Sequence, residues 1–307
     1  MFIPIFLRIA VIFVIISVGA LARWRRVLDS ETTEGLSRVA IELTLPFLYF
    51  YTLAANLTPQ IFKDISIYPL YAAGLTLFFF ALSWLASLLV KLPLAKQRTF
   101  MFLITFPNYG FLAIPLIFNF FGEEGLLKIV MFNLGITFLY WTLGVGMLSG
   151  ARIKGRGIVK NLVNNSMLAL ILGLVVGIGP WGIPLFILES AKLIGSASIP
   201  LALIVVGSLL AQGGLKRPAA WKPLLVIVLW RLLIIPALSL ILLKNCLNLS
   251  PLVSVIIMLQ AALPSASTTP ILVKRFGGDA ELSAQGVFFT TLLSIITVPI
   301  FLSLLLK

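Results

Sequence analysis

Phe106-Pro107-Asn108-Tyr109-Gly110 interrupts an apolar run over about residues 98–119, and Leu263-Pro264-Ser265-Ala266-Ser267 interrupts another over about 251–273. Proline lacks a backbone N–H and clashes with the carbonyl four residues before it, so each break leaves helical backbone groups unpaired. Hydrocarbon offers no partner for such groups, so a broken membrane helix is tolerated only where protein buries the break or a polar cavity adjoins it. One break in each half of a chain is the pattern of a secondary transporter, whose ligand site lies between discontinuous helices near the bilayer midplane.

The remaining sequence agrees with a membrane setting. Of 307 residues, 60% are hydrophobic and 11% charged, against about 45–50% apolar in soluble domains. Runs long enough to cross about 30 Å of hydrocarbon at about 1.5 Å per residue fall near 3–22, 36–56, 66–90, 98–119, 127–149, 163–180, 190–211, 222–243, 251–273 and 282–306. They predict an all-α membrane protein of ten transmembrane helices. The first run ends in Ala20-Leu21-Ala22, which imitates a signal cleavage site, but it is longer than a signal h-region and lacks a basic lead, so it is read as a helix. Cys246 is the single cysteine, which excludes an intrachain disulfide and a cysteine metal cluster.

The net charge of +13 would suggest nucleic acid as the partner of a soluble protein, but here it is distributed by connection. Arg23, Arg25, Arg26 and Arg38 flank the first; Lys91, Lys96 and Arg98 the third; Arg152, Lys154, Arg156 and Lys160 the fifth; Lys216, Arg217 and Lys222 the seventh; Lys274 and Arg275 the ninth. Sixteen of the 23 basic residues thus flank odd connections, while the even ones hold Lys63, Lys128, Lys192 and Lys244. The positive-inside rule puts the odd connections in the cytoplasm and both termini on the outer face of the cell membrane. The partner implied is the lipid bilayer, with no nucleic acid.

Division near residue 150 gives five spans on each side, 1–150 and 151–307. A unit with an odd number of spans ends on the side opposite its start, so a second copy is inverted. Leu45-Pro46 answers Ile199-Pro200, Pro107 answers Pro264, and Pro115 answers Pro270. Phe121-Gly122 and Phe276-Gly277 follow, each leading to an acidic turn. Pro107 lies nine residues past Arg98, and Pro264 eleven before Arg275. At helical rise these are roughly 14 and 16 Å, so the breaks fall at similar depth.

Each break exposes a half-helix N-terminus, whose free N–H groups and positive dipole end suit a carboxylate. The candidate substrate site is therefore Pro107, Asn108, Tyr109 and Gly110 with Pro264, Ser265, Ala266, Ser267 and Thr268, joined by Asn133. Asn133 and Thr137 share a helix face and Gln260 precedes Pro264 by one turn. Such neutral groups either coordinate Na⁺ beside freed carbonyls or bond helix to helix, the second being the simpler reading. Glu42 follows Arg38 at i,i+4 and is expected to pair with it rather than to carry protons. Arg231 is expected to snorkel to the cytoplasmic surface and Arg8 to the outer one, while Phe78-Phe79-Phe80 is expected to face lipid. With no histidine and few acidic residues in spans, acid/base or metal catalysis has little to work with, and no enzyme or cofactor is expected.

The Asn-Tyr-Gly-Phe-Leu-Ala-Ile-Pro stretch at 108–115, the Phe-Asn-Leu-Gly…Trp-Thr-Leu-Gly run at 132–144 and Leu-Pro-Ser-Ala…Arg-Phe-Gly-Gly-Asp-Ala-Glu-Leu at 263–282 resemble the auxin efflux carrier family. That family joins plant auxin exporters and bacterial malate and malonate permeases. The resemblance implies a fold similar to bile-acid/sodium symporters: helices 1, 2, 6 and 7 as a scaffold that dimerises, helices 3–5 and 8–10 as a moving transport domain, and helices 4 and 9 crossing at Pro107 and Pro264 with Asn108 beside the substrate. The short link between spans five and six is similar to the permeases. Ser265 stands where the plant exporters have a second asparagine. Together these readings predict an alternating-access carrier of small organic anions, mono- or dicarboxylates, with H⁺, Na⁺ or no coupling ion. A gated anion channel and an intramembrane enzyme are the alternatives.

Overall fold

The computed structural model describes residues 2–150, 162–180, 182–213 and 221–307. Arg152, Lys154, Arg156, Lys160, Lys216 and Arg217, and the boundary at 150/151, therefore lie at or outside the edges of the described residues. Among those residues all regular structure is helical, with no strand. The helices are α1 (Phe2–Trp24), α2 (Ser30–Val39), α3 (Leu45–Asn56), α4 (Pro59–Ile65), α5 (Tyr68–Ser87), α6 (Leu94–Thr105), α7 (Ile114–Leu139) and α8 (Val145–Ser149), then α9 (Asn165–Ile178), α10 (Leu185–Ser196), α11 (Ser198–Gly213), α12 (Trp221–Leu229), α13 (Ile235–Asn245), α14 (Pro251–Ala262), α15 (Thr269–Phe276) and α16 (Ala280–Leu305). Among the described residues, four π-helical turns, Ala40–Thr44, Tyr109–Ala113, Tyr140–Gly144 and Trp230–Ile234, continue neighbouring α-helices.

Seven helical stretches among the described residues are long and apolar enough to cross a membrane, and α9 and α14 are shorter apolar helices. The fold is thus an all-α membrane fold. The stretch Tyr109–Ser149 has 41 residues, which as one straight helix would be about 60 Å, twice the hydrocarbon thickness. It is broken at Gly122, whose φ of 57° and ψ of −145° are non-helical. Gly277 ends α15 in the same way at φ 101°. Both glycines occupy a region that a Cβ disfavours, so the two Phe-Gly pairs matched in sequence do the same conformational work. Arg8 donates to the carbonyls of Asn119 and Phe120 at 3.3 and 3.1 Å, just before Gly122.

Close backbone contacts join α1, α3, α9, α10 and α11. A Cβ on Gly19 would strike the Ile204 carbonyl, and one on Gly207 the Ile16 carbonyl, so α1 and α11 meet backbone to backbone. Gly173 and Gly177 of α9 pack on Phe50, Leu53 and Leu57, and Gly195 of α10 packs on Phe47 and Leu48. Lipid gives little hydrophobic drive for helix association, so small residues that admit close van der Waals approach decide such interfaces.

Candidate functional site

The two breaks meet. Pro107 and Ser265 form an antiparallel bridge, with the Asn108 N–H donating to the Pro264 carbonyl at 2.8 Å and the Ala266 N–H to the Phe106 carbonyl at 3.0 Å. Each proline also deprives the carbonyl four residues earlier of its helical donor, Leu103 for Pro107 and Gln260 for Pro264. The chain supplies both replacements from side chains. Ser265 Oγ donates to the Leu103 carbonyl at 2.7 Å, and Arg231 Nη2 donates to the Gln260 carbonyl at 2.5 Å.

Asn108 behaves differently from Ser265. Its Oδ1 accepts the Phe111 N–H at 3.3 Å and so caps the half-helix that follows. Ser267 Oγ lies 3.5 Å from the same oxygen. The Asn108 Nδ2 is buried and has no hydrogen-bond partner. The asymmetry visible in sequence thus separates two tasks: Ser265 is turned into the protein, while Asn108 holds a spare donor.

A cavity of about 140 Å³ lies against the crossover. One wall comes from Ile41, Glu42, Leu45, Tyr49 and, across a gap in sequence, Ser166; the other from Pro107–Phe111, Thr137, Tyr140, Trp141, Ala266, Thr268 and the α15 face ending at Arg275. A second cavity, of about 290 Å³, continues past Ile41, Glu42 and Arg275 to Glu34, Arg38 and Lys274. A third, of about 580 Å³, reaches Ser267 and shares Ile271 of α15 with the first. Three of the four π-helical turns contribute to the first cavity, in keeping with the frequent placement of such turns at functional sites.

Of the residues singled out in sequence, Pro107, Asn108, Tyr109, Gly110, Thr137, Ala266, Thr268 and Glu42 line this cavity, and Ser267 borders the third. Pro264, Ser265, Asn133 and Gln260 are not among its lining residues; they are buried beside it as support. Gln260 Nε2 donates to Asn133 Oδ1 at 3.3 Å, and Asn133 Nδ2 to the Tyr109 carbonyl at 3.3 Å.

Three expectations fail on particular side chains. Glu42 forms no ion pair with Arg38, since the pairs found among the described residues are Lys96–Asp279, Lys128–Glu124 and Lys274–Glu34. The helix widens into a π-turn at Ala40–Thr44, which disrupts the i,i+4 register that the pair requires. Arg231 does not snorkel: it is 0% exposed because its guanidinium satisfies the orphaned Gln260 carbonyl. Phe79 is buried, not lipid-facing, and its ring lies 5.0 Å from the Arg231 guanidinium carbon.

Sequence reasoning also missed Tyr49, Tyr140 and Trp141. Tyr140 hydroxyl and Thr268 Oγ1 are 2.6 Å apart, and the Tyr140 ring meets Phe102, Phe106, Tyr109 and Trp141 at centroid distances of 5.2–5.7 Å. One signal was available: 133, 137 and 140 recur at i, i+4 and i+7, one helix face.

Apolar helices of membrane length and paired broken helices enclosing a cavity define an α-helical membrane transporter. Comparison with known sequences places it more closely: the model of the membrane transport protein family matches residues 4–156 and 151–302, and the chain belongs to that family. It is similar to an uncharacterized transporter of Methanocaldococcus jannaschii, 26% identical over 302 residues that cover 95% of this chain and 96% of that one. An uncharacterized transporter of Methanothermobacter thermautotrophicus is 26% identical over 296 residues, 94% of each.

Proposed function

We propose that the protein is an alternating-access carrier of small organic anions, mono- or dicarboxylates, in the cell membrane. The observation that carries this reading is Asn108: it lines the cavity beside a half-helix N-terminus, and its Nδ2 lacks an acceptor. A carboxylate supplies that acceptor and complements the helix dipole. Pro107, Tyr109, Gly110, Ala266, Thr268 and Thr137 shape the pocket, with Tyr140 bracing Thr268.

In this reading the chain has ten spans in two inverted sets of five, with 94–121 and 251–276 each counted as one broken span and 123–149 set apart by Gly122. Spans 1, 2, 6 and 7 form the scaffold and the dimer contact; spans 3–5 and 8–10 move. The cavity between Ile41–Tyr49 and the crossover lies on the boundary between those bodies, where a sliding motion would re-expose it. The charge distribution orients the Glu34, Arg38 and Lys274 end to the cytoplasm and both termini outward.

The test is a thermal-shift screen of carboxylates on the purified protein, with and without Na⁺ and at several pH values, alongside Asn108→Ala. A stabilising acid whose effect disappears in Asn108→Ala is expected. An acid that stabilises both proteins equally overturns the crossover as its site.

A further inference from the structure

Arg231 is an intramembrane cation that anion binding at the crossover leaves unexplained. It is fully buried, and its Nε and Nη1 have no hydrogen-bond partner. All ten acidic residues of the chain are among the described residues, and none pairs with it. A buried cation without a counter-ion is costly in a membrane and is kept where it serves a function. Capping one carbonyl does not require it, because a neutral hydroxyl performs that service at the other break, where Ser265 bonds Leu103.

The position of Arg231 indicates the service. Its guanidinium donates to the Gln260 carbonyl; the Gln260 side chain donates to Asn133, and Asn133 donates to the Tyr109 carbonyl. Every link donates away from the cation, so the dipoles align with their positive ends towards Tyr109, which lines the cavity. We infer that Arg231 is a built-in counter-charge for the bound anion, a positioning residue that stands in for a coupling cation behind the crossover. The inference rests on the anion-carrier reading.

Two magnitudes follow from Coulomb's law. At an effective dielectric of about 20, a guanidinium and an anion about 10 Å apart gain about tenfold in affinity, whereas two cations about 5 Å apart are disfavoured by roughly a few hundredfold. The polar groups that suggested a sodium site in sequence are thus already served by a fixed cation.

The experiment compares wild type, Arg231→Met and Arg231→Lys in proteoliposomes, with lactate, malonate and malate as probes, at matched ionic strength in Na⁺ or choline. Wild-type flux is expected to be the same in both cations. Arg231→Met is expected to raise KM about tenfold or more and to become stimulated by Na⁺, while Arg231→Lys falls between the two. A wild type that requires Na⁺, or a folded Arg231→Met with unchanged KM in choline, overturns the inference. If Arg231→Met does not fold, the wild-type cation comparison and the KM of Arg231→Lys decide: a wild type that requires Na⁺, or an Arg231→Lys with the wild-type KM in choline, overturns it. A wild type that neither binds nor moves any carboxylate overturns the anion reading itself, whereas one that moves a carboxylate only with Na⁺ overturns this inference alone.

Discussion

Ser265→Ala removes one hydroxyl and little else from the crossover. That hydroxyl donates at 2.7 Å to the Leu103 carbonyl, which Pro107 has stripped of its helical N–H, and the side chain is 0% exposed. Leaving a buried carbonyl without its donor costs about 1–3 kcal/mol. At roughly 2–4 °C per kcal/mol for chains of a few hundred residues, Ser265→Ala should melt several degrees below wild type in detergent. Its KM per folded carrier should stay within about a factor of two. Asn108→Asp should do the reverse. It keeps a side-chain oxygen to cap Phe111, with the half-helix N-terminus offsetting part of the cost of burying a carboxylate, yet it replaces the spare donor with that carboxylate and should abolish stabilisation by added acids. Both variants are read by the same dye-based melting assay with a carboxylate titration. A Ser265→Ala protein that melts with wild type but loses the ligand-induced shift would refute the division of labour between the two residues.

Gly207→Leu should separate α1 from α11, because even a Cβ at that position strikes the Ile16 carbonyl; loss of a monodisperse elution profile is the readout. Tyr140→Phe removes the hydroxyl contact with Thr268 and should cost about 0.5–1.5 kcal/mol, read by melting temperature, with a rise in KM as Thr268 loses its brace. The Glu34–Lys274 pair at 3.5 Å is exposed, so Glu34→Gln should change stability by less than about 1 kcal/mol, measured at low and high salt. The Thr32 N–H holds the Asp29 carboxyl below its ordinary value of 3.8. A depressed pKa adds stability that is present above the ordinary carboxylate range and lost as pH falls through the folded value. Asp29→Asn, which caps without titrating, should therefore reduce that part of the acid sensitivity in a pH series of melting curves.

The two prolines made the location of the crossover legible because proline chemistry is local: a missing N–H can be read from one letter. The glycines that break the helices at 122 and 277 were legible for the same reason, as partners in matched Phe-Gly pairs. The π-helical turns were not. They arise from packing between helices, and the turn at Ala40–Thr44 cancelled the Arg38–Glu42 spacing that an ideal helix would give. Arg231 was misread because an arginine's long side chain lets it snorkel from within a span, and one letter does not show what lies beside it. Only the folded chain brings it to the Gln260 carbonyl, 29 residues away in sequence. Tyr140 lay on the same face as Asn133 and Thr137, but its contact with Thr268 spans 128 residues and two separate helices. Ser265 was assigned to the ligand because a polar residue at a break has two uses, donating to substrate or to an orphaned carbonyl, and the choice between them depends on its rotamer.

The central claim, carriage of an organic anion through a site at Asn108, is tested most directly by isotope counterflow in proteoliposomes. Vesicles loaded with an unlabelled carboxylate should transiently accumulate the labelled acid above equilibrium, with saturable rates, and Asn108→Asp vesicles should show neither behaviour. Labelled flux that grows linearly with concentration, without an overshoot and with a steady conductance, would identify a channel and contradict the account.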